Sequence, residues 1–327
     1  MNTPAVSIVV PIYNVSKYIE RCAHSLLGQS FGDIEYVFVN DCTPDDSIEI
    51  LQSVINLYPH RKERVKIIHH ERNRGVGAAR NTCIAHATGT YIQFIDADDW
   101  VEADMIEHMY TKAVSKNADI VVSDMFVEEK NATVYSKEHI SYNNQTPFQL
   151  LLEQKYLSWA LWNKLMKREL YTHSECTIPE GLNYSEDLHV CIRLFYFAQK
   201  IVKINRAFYH YNKTNEHSIT YKNRPFHYEN MKLVYTLLKD FVQKENLDEI
   251  YLHAVEHGMI QDKVQILIDS TNYTHLKQGS ELFRNIEMKY LKDLKRGEKI
   301  TLFLTHYQLF IPAHIFLIAL RYKNRKK

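Results

Sequence analysis

Five short apolar runs in the first 125 or so residues constrain this chain more than any other feature. They are "AVSIVV" at 5–10, "IEYVFV" at 34–39, "VKII" at 65–68, "YIQFI" at 91–95 and "DIVVSDM" around Ile120. Each is nearly continuous in apolar character, where a half-exposed strand would alternate. Between them, apolar residues fall at helical spacing: Ile19, Cys22, Ala23 and Leu26; Ile48, Leu51 and Ile55; the segment "VGAARNTCIAHA"; and Met105, Ile106 and Met109. Ser16, and Asp46 or Ser47, stand where the first two helices need N-caps. Strands buried on both faces and separated by helices predict an α/β fold, a mostly parallel sheet flanked by helices.

Such sheets bind ligands beyond the carboxyl ends of their strands. Three polar clusters occupy those ends: "PIYN" after the first run, "NDCTPDD" after the second and "DADD" after the fourth. Folding is expected to gather them along one edge. The last cluster is the most demanding, because Asp96, Asp98 and Asp99 repel one another and each resists leaving water. Two readings stand. The acids can favour the positive end of a helix starting near Ala103, or an Asp-x-Asp pair can hold a hard divalent cation that bridges to phosphate oxygens. Asp41 is likewise either a turn residue ahead of Pro44 or an acceptor for a base or ribose. Arg72, Arg74 and Arg80 surround "NRGVGAARN". Basic groups beside a glycine-bearing helix start suit a pyrophosphate, and solvated arginines there are equally ordinary. Glu186 and Asp187 precede an apolar helix and read as first-turn acids behind a Ser185 cap.

Composition removes several classes. Net charge is +1, so nothing steers the molecule toward nucleic acid. The five scattered cysteines form no Cys-x-x-Cys pair, which argues against a disulfide framework or thiolate zinc site and favours a reducing compartment. No Gly-x-Gly-x-x-Gly follows the first run, which disfavours a nicotinamide cofactor. The N-terminus reads as a first strand, not a signal peptide. No window holds the roughly 20 apolar residues of a membrane span, so a cytoplasmic location is expected.

Five segments, taken in order, carry a family resemblance: "VSIVVPIYNVSKYIERCAHSLLGQSF", "VFVNDCTPDDS", "NRGVGAARNTCIAHATGTYIQFIDADD", "WNKLMKREL" and "YSEDLHV". Together they resemble the family 2 inverting glycosyltransferases, enzymes of the GT-A fold that often build bacterial capsule, exopolysaccharide or O-antigen. The resemblance covers residues 5 to 215 and implies a role for each matching position. Pro11, Ile12 and Tyr13 would form the nucleotide-base rim, Asp41 would contact uracil, and Arg80 would lie near the nucleotide. Asp96 would face ribose or sugar, and Asp98 would hold Mn²⁺ or Mg²⁺ and the diphosphate. Asp187 would be the general base. The implied reaction is hexosyl or N-acetylhexosaminyl transfer from a UDP-sugar to a hydroxyl of a glycan or lipid-linked acceptor.

Two departures qualify this pattern. The usual Asp-Asp-Gly-Ser is here Asn40-Asp41-Cys42-Thr43. In "FYHYNKTNEHS" Asn212 stands where Arg is frequent, with Lys213 as a substitute and His210 either packed in the core or near the metal. Two other functions fit these residues less well. Intact Asp98 and Asp187 argue against a non-catalytic sugar-nucleotide binding protein. The absence of a Gly-rich first loop argues against a sugar-1-phosphate nucleotidylyltransferase.

Past Val127 the alternation yields to an aromatic-rich segment containing Trp159 and Trp162, and from Pro225 the pattern is helical. The expected organisation is a glycosyltransferase domain at 1–215, divided near residue 125 into nucleotide-sugar and acceptor halves, followed by a helical region at 216–327. The tail "RYKNRKK" holds five basic residues in seven behind Phe310, Ile311, Ile315, Phe316, Leu317 and Ile318. It reads either as an interfacial anchor for an anionic membrane surface or as a core helix with a solvated basic end.

Overall fold

The computed structural model describes residues 3–141, 145–153, 156–173, 176–215, 218 and 225–324. Two compact units divide the chain, Met1–Tyr221 and Lys222–Lys327.

In the first unit, β1 (Val6–Ile12), β2 (Ile34–Asn40), β3 (Val65–His69) and β4 (Tyr91–Phe94) run parallel in the order β3-β2-β1-β4. The crossovers are α1 (Ile19–Leu27), α2 (Ser47–Asn56) and α3 (Val76–His86). Every residue of β1 except Pro11 is buried, as a strand covered on both faces requires. The chain steps outward from β1 to β2 and β3, then returns to the other side of β1 as β4. That reversal opens a crevice at the carboxyl ends of β1 and β4, the place where such sheets take ligands.

Beyond β4 come β5 (Trp100–Val101), α4 (Met105–Lys116), β6 (Ile120–Glu129), β7 (Ala132–Ser136), α5 (Pro147–Glu153), β8 (Lys164–Lys167), α6 (Arg168–His173), α7 (Glu186–Phe197) and β9 (Ile201–Asn212). β8 comes from the "WNKLMKREL" segment and inserts between β4 and β6, antiparallel to both. β9 then pairs parallel with β6, and β5 lies antiparallel on β9. The fifth apolar run is therefore not the neighbour of the fourth.

The helix starts differ from those read in the sequence. α1 begins at Ile19, because the Ser16 amide donates instead to the Asp45 carboxylate at 2.8 Å. Asp45 also accepts from the amide and hydroxyl of Ser47. It is thus Asp45, rather than Asp46 or Ser47, that satisfies the start of α2.

The second unit is helical: α8 (Pro225–Lys244), α9 (Glu249–Asp269), α10 (Tyr273–Glu281), a 3-10 turn at Glu287–Asp293, α11 (Arg296–His306) and α12 (Phe310–Asn324). Its core gathers Ile260, Val264, Leu267, Leu276, Tyr290, Leu302, Ala313 and Leu317. Fully buried Lys263 is ion-paired to buried Glu287, which also bonds His306. No helix among the described residues is long and apolar enough to cross a membrane.

Candidate active site

Loops after three strands build the site. Behind β2, the Asp41 amide donates to the Ile12 carbonyl at 3.0 Å, joining the first two polar clusters. The Asp41 carboxylate accepts from the amides of Arg74 (2.8 Å) and Gly75 (2.7 Å) and from His70 Nδ1 (2.7 Å). Asp41 is therefore buried beneath the loop that leads into α3, and it fixes that loop. Cys42 follows with φ 56°, a left-handed backbone that glycine adopts more cheaply. At Gly75, φ is 86° and the Asn183 amide fills the place a Cβ would take, so glycine is required there.

The rim residues divide. Tyr13 is 47% exposed and offers its ring, and Pro11 is half-buried. Ile12 is fully buried in the core, so its side chain cannot form part of a rim. This corrects the expectation for that residue. Arg72 and Arg74 are exposed at the loop, and Arg72 faces Glu180 at 3.8 Å.

Arg80 lies one turn into α3 and is only 3% exposed. Its Nη2 meets Asp96 Oδ1 and Asp187 Oδ1, each at 3.2 Å, and its Nε meets Glu186 Oε1 at 3.3 Å. The guanidinium is thus not at the helix start with Arg72 and Arg74. It sits between the Asp-x-Asp turn and the Glu-Asp pair that opens α7. Burial alone would lower Arg80, but Asp187, Asp96 and Glu186 together hold it above its ordinary value. Among the described residues, Arg80 Nη1 and Ser185 Oγ are buried without hydrogen-bond partners.

The carboxylates respond to the same field. Burial pushes Asp187 up to about 7; Arg80 opposes the shift, Glu186 and Asp96 add to it, and the Leu161 amide opposes it. Glu186 is raised by burial against the pull of Arg80. Asp98 is pushed up to about 6 by burial and by Asp96. Asp99 is raised by burial, Asp98 and Asp96, although Tyr209 and Asn212 bond it.

The three acids of "DADD" do different work. Asp99 is buried and accepts from the Tyr209 hydroxyl at 2.6 Å and the Asn212 amide at 2.7 Å, which ties the turn to the end of β9. Asp98 accepts from the Asn215 side chain at 2.8 Å. Asp96 pairs with Arg80 and remains partly open to solvent. Asn212, where Arg is frequent in the family pattern, is a structural donor: its side chain also reaches the Asp98 carbonyl. His210 is stacked on Trp100 and Phe126 and bonded to Glu102 and Glu128. It belongs to packing rather than to the Asp98 site.

Ser185 has φ 61° and no side-chain capping bond, so it is not the cap that its position suggested. Sequence reasoning did not single out His70, Asn183, Tyr209 or Asn215. Asparagine and histidine in loops carry no periodic signal, and their partners lie far away in the chain.

Among the described residues, no group of three or more His, Cys, Asp or Glu is arranged to hold a metal ion. The oxygens of Asp98, with Asp96 beside it, suit a hard divalent cation only if phosphate oxygens and water complete its shell. A cation arriving with a diphosphate fits this donor set; a preformed protein cage does not.

Solved structures define the class of fold. Residues 1–349 of TarS from S. aureus, in complex with UDP-GlcNAc, superpose with a TM-score of 0.74 at 17% identity, covering 97% of this chain and 92% of that one. The mannosyltransferase PcManGT from Pyrobaculum calidifontis, in complex with GDP-Man and Mn²⁺, gives 0.53 at 16% identity, covering 99% and 88%. The fold is GT-A. Residues 7–180 match the model of glycosyl transferase family 2, and the chain belongs to that family of glycosyltransferases. The putative glycosyltransferase EpsH of Bacillus subtilis (strain 168) is 30% identical over 293 residues, 88% of this chain and 83% of EpsH. The uncharacterized glycosyltransferase EpsJ of the same strain is 34% identical over 223 residues, 66% of this chain and 63% of EpsJ. The chain thus spans most of EpsH but less than two thirds of EpsJ.

A stability prediction follows from Asp98. Its folded value is raised from 3.8 to about 6, so ionising it costs the folded state progressively as pH rises through that window. Asp98→Asn should therefore stabilise the metal-free protein at pH 8 by about 1–3 kcal/mol, with the gain vanishing below pH 4. Urea denaturation in EDTA at both pH values measures it.

Proposed function

We propose that this chain transfers a sugar from a nucleoside-diphosphate sugar, preferentially UDP-linked, to a hydroxyl of a glycan or lipid-linked saccharide in surface polysaccharide synthesis. The observation that carries this reading is the placement of Arg80 between Asp96 and Asp187. One buried cation joins the turn suited to a nucleotide-sugar to a carboxylate suited to accept a proton.

The roles follow from position. Tyr13 and Pro11 border the base, and Asp41 acts there through the loop it fixes. Asp96 faces ribose or sugar, with Arg80 behind it. Asp98 would hold Mn²⁺ or Mg²⁺. When bound, that ion supplies positive charge against the charge growing on the diphosphate. Asp187 takes the proton of the acceptor hydroxyl as the acceptor oxygen bonds the anomeric carbon. The bond from that carbon to the diphosphate breaks, and its electron pair leaves with the diphosphate. A single displacement inverts the centre. A base raised to about 7 is stronger than an ordinary carboxylate and becomes increasingly ionised as pH rises above neutrality. The bound ligands of the structural neighbours, UDP-GlcNAc in TarS and GDP-Man with Mn²⁺ in PcManGT, support a nucleotide-sugar donor.

Membrane attachment is a second part of the proposal. α12 exposes Ile311 (70%), Ile315 (63%) and Ile318 (53%), spaced to form one stripe. No Asp, Glu, Lys or Arg occurs between Lys299 and Arg321, and basic residues follow. An apolar stripe ending in positive charge suits an anionic lipid surface, where a lipid-linked acceptor resides. Residues 325–327 of the tail lie outside the described residues.

Two outcomes test these readings. With Mn²⁺ and acceptor, the protein should release UDP from a UDP-sugar, and its rate should fall as pH drops below about 7 and the base is protonated. Asp187→Asn should lower kcat by roughly 10²–10⁴-fold while calorimetry shows UDP binding intact; normal turnover by that variant would remove the base assignment. In vesicle sedimentation, the full chain should bind phosphatidylglycerol-containing vesicles but not pure phosphatidylcholine, and Ile315→Asp should weaken binding. Equal binding to both vesicle types, or to neither, would refute the anchor.

A further inference from the structure

His69 and His70 follow one another at the end of β3, where strand alternation turns neighbouring side chains to opposite faces. His69 is exposed, and its Nδ1 meets the Asn40 side chain at 3.1 Å. The His70 side chain is only 6% exposed and lies between two partners. Its Nδ1 meets Asp41 Oδ1 at 2.7 Å, and its Nε2 meets Thr82 Oγ1 of α3 at 2.9 Å. Its amide donates to the Asn40 carbonyl at 2.9 Å, continuing the ladder between β3 and β2. The residue is thus held at both ring nitrogens and at its main chain.

These contacts fix the direction of the bond to Asp41. A carboxylate that takes two amide hydrogens can only accept from Nδ1 as well, so that nitrogen carries a hydrogen. The Thr82 hydroxyl either donates to a bare Nε2 or, turned to the Ala78 carbonyl at 3.0 Å, accepts from a protonated one. Nδ1–H stays on Asp41 in both arrangements. The two amides come from Arg74 and Gly75, which belong to the loop that Asp41 holds. Among the described residues, His70 is the one side chain bonded to that carboxylate, and Thr82 ties it to α3. Thr82 lies two residues beyond Arg80, so one helix braces both this loop and the cluster of Asp96, Glu186 and Asp187.

We propose that His70 is a positioning residue for the nucleoside-diphosphate donor: by bracing the Asp41 carboxylate against Thr82, it presets the 72–75 loop where the nucleotide binds. His70 itself touches neither donor nor base, and its effect passes through Asp41 to the amides of Arg74 and Gly75. A loop set in advance spares the cost of ordering it on binding, so His70 acts on donor affinity and not on the displacement. The inference rests on the reading of this chain as a nucleotide-sugar transferase, and it adds the device that holds the donor loop in place.

The test compares wild type with His70→Gln and His70→Asn in the full chain, measuring UDP–Mg²⁺ affinity by calorimetry and transfer from a UDP-sugar. Glutamine keeps a nitrogen at the Nε2 position and loses the one facing Asp41; asparagine does the reverse. His70→Gln should weaken UDP affinity and raise donor KM by about 10–30-fold, the loss of a hydrogen bond to a charged group, with kcat within about twofold. His70→Asn should recover UDP affinity to within about threefold of wild type, because it restores the bond to Asp41. In wild type, UDP–Mg²⁺ should shift the ¹⁵N resonance of the Gly75 amide, a measurement that needs no variant to fold. Equal losses in the two variants, kcat falling as far as affinity, unchanged affinity in His70→Gln, or a Gly75 amide indifferent to bound UDP would overturn the proposal. Failure of the wild type to bind UDP at all would remove the nucleotide-sugar reading first, and this inference with it.

Discussion

The site depends on one shared cation. Arg80 is surrounded by Asp96, Glu186 and Asp187, three carboxylates on two separate segments, in a place largely closed to water. Without the guanidinium those acids would repel one another at low dielectric and take up protons. With it, the turn after β4 and the start of α7 are held together although they lie some ninety residues apart. Arginine suits this position better than lysine, since its planar fork presents several donors while its charge stays fixed. The balance is incomplete: burial, with Glu186 and Asp96 adding to it, outweighs the pull of Arg80 and leaves Asp187 raised to about 7.

The same imbalance explains the "DADD" turn. Neighbouring carboxylates are tolerated there because each has a different environment. Asp99 is satisfied by Tyr209 and Asn212 and anchors the turn to β9. Asp96 leans on Arg80. Asp98 has the Asn215 amide but remains above its ordinary value, an electrostatic cost that a bound divalent cation would offset.

Much of the first unit was legible in the sequence. Continuous apolar strands at 6–12, 34–40 and 91–94, with helices between them, dictate parallel pairing. The polar residues that end those strands must then share an edge. The insertion of β8 between β4 and β6 was not legible, because antiparallel pairing of "KLMK" is decided by tertiary partners and not by its own pattern. Spacing marked Asp96, Asp98 and Asp99 as a group but could not say which acid is buried against Tyr209. The resemblance placed Ile12 on a rim, whereas β1 is covered on both faces and the Ile12 side chain stays in the core. Asp187 emerged from a resemblance, since a first-turn acid is ordinary in itself. The resemblance placed Arg80 near the nucleotide, but its partners Asp96, Glu186 and Asp187 lie on distant segments and were not legible from its position one turn into α3.

On the proposed reading, a base held by an arginine and one direct displacement would fix the stereochemistry of the product. The most direct test is the anomeric configuration of the sugar transferred from an α-linked UDP-sugar, read from the anomeric proton coupling in the NMR spectrum of the product. The account predicts a β-linked product. An α-linked product would contradict a single displacement assisted by Asp187.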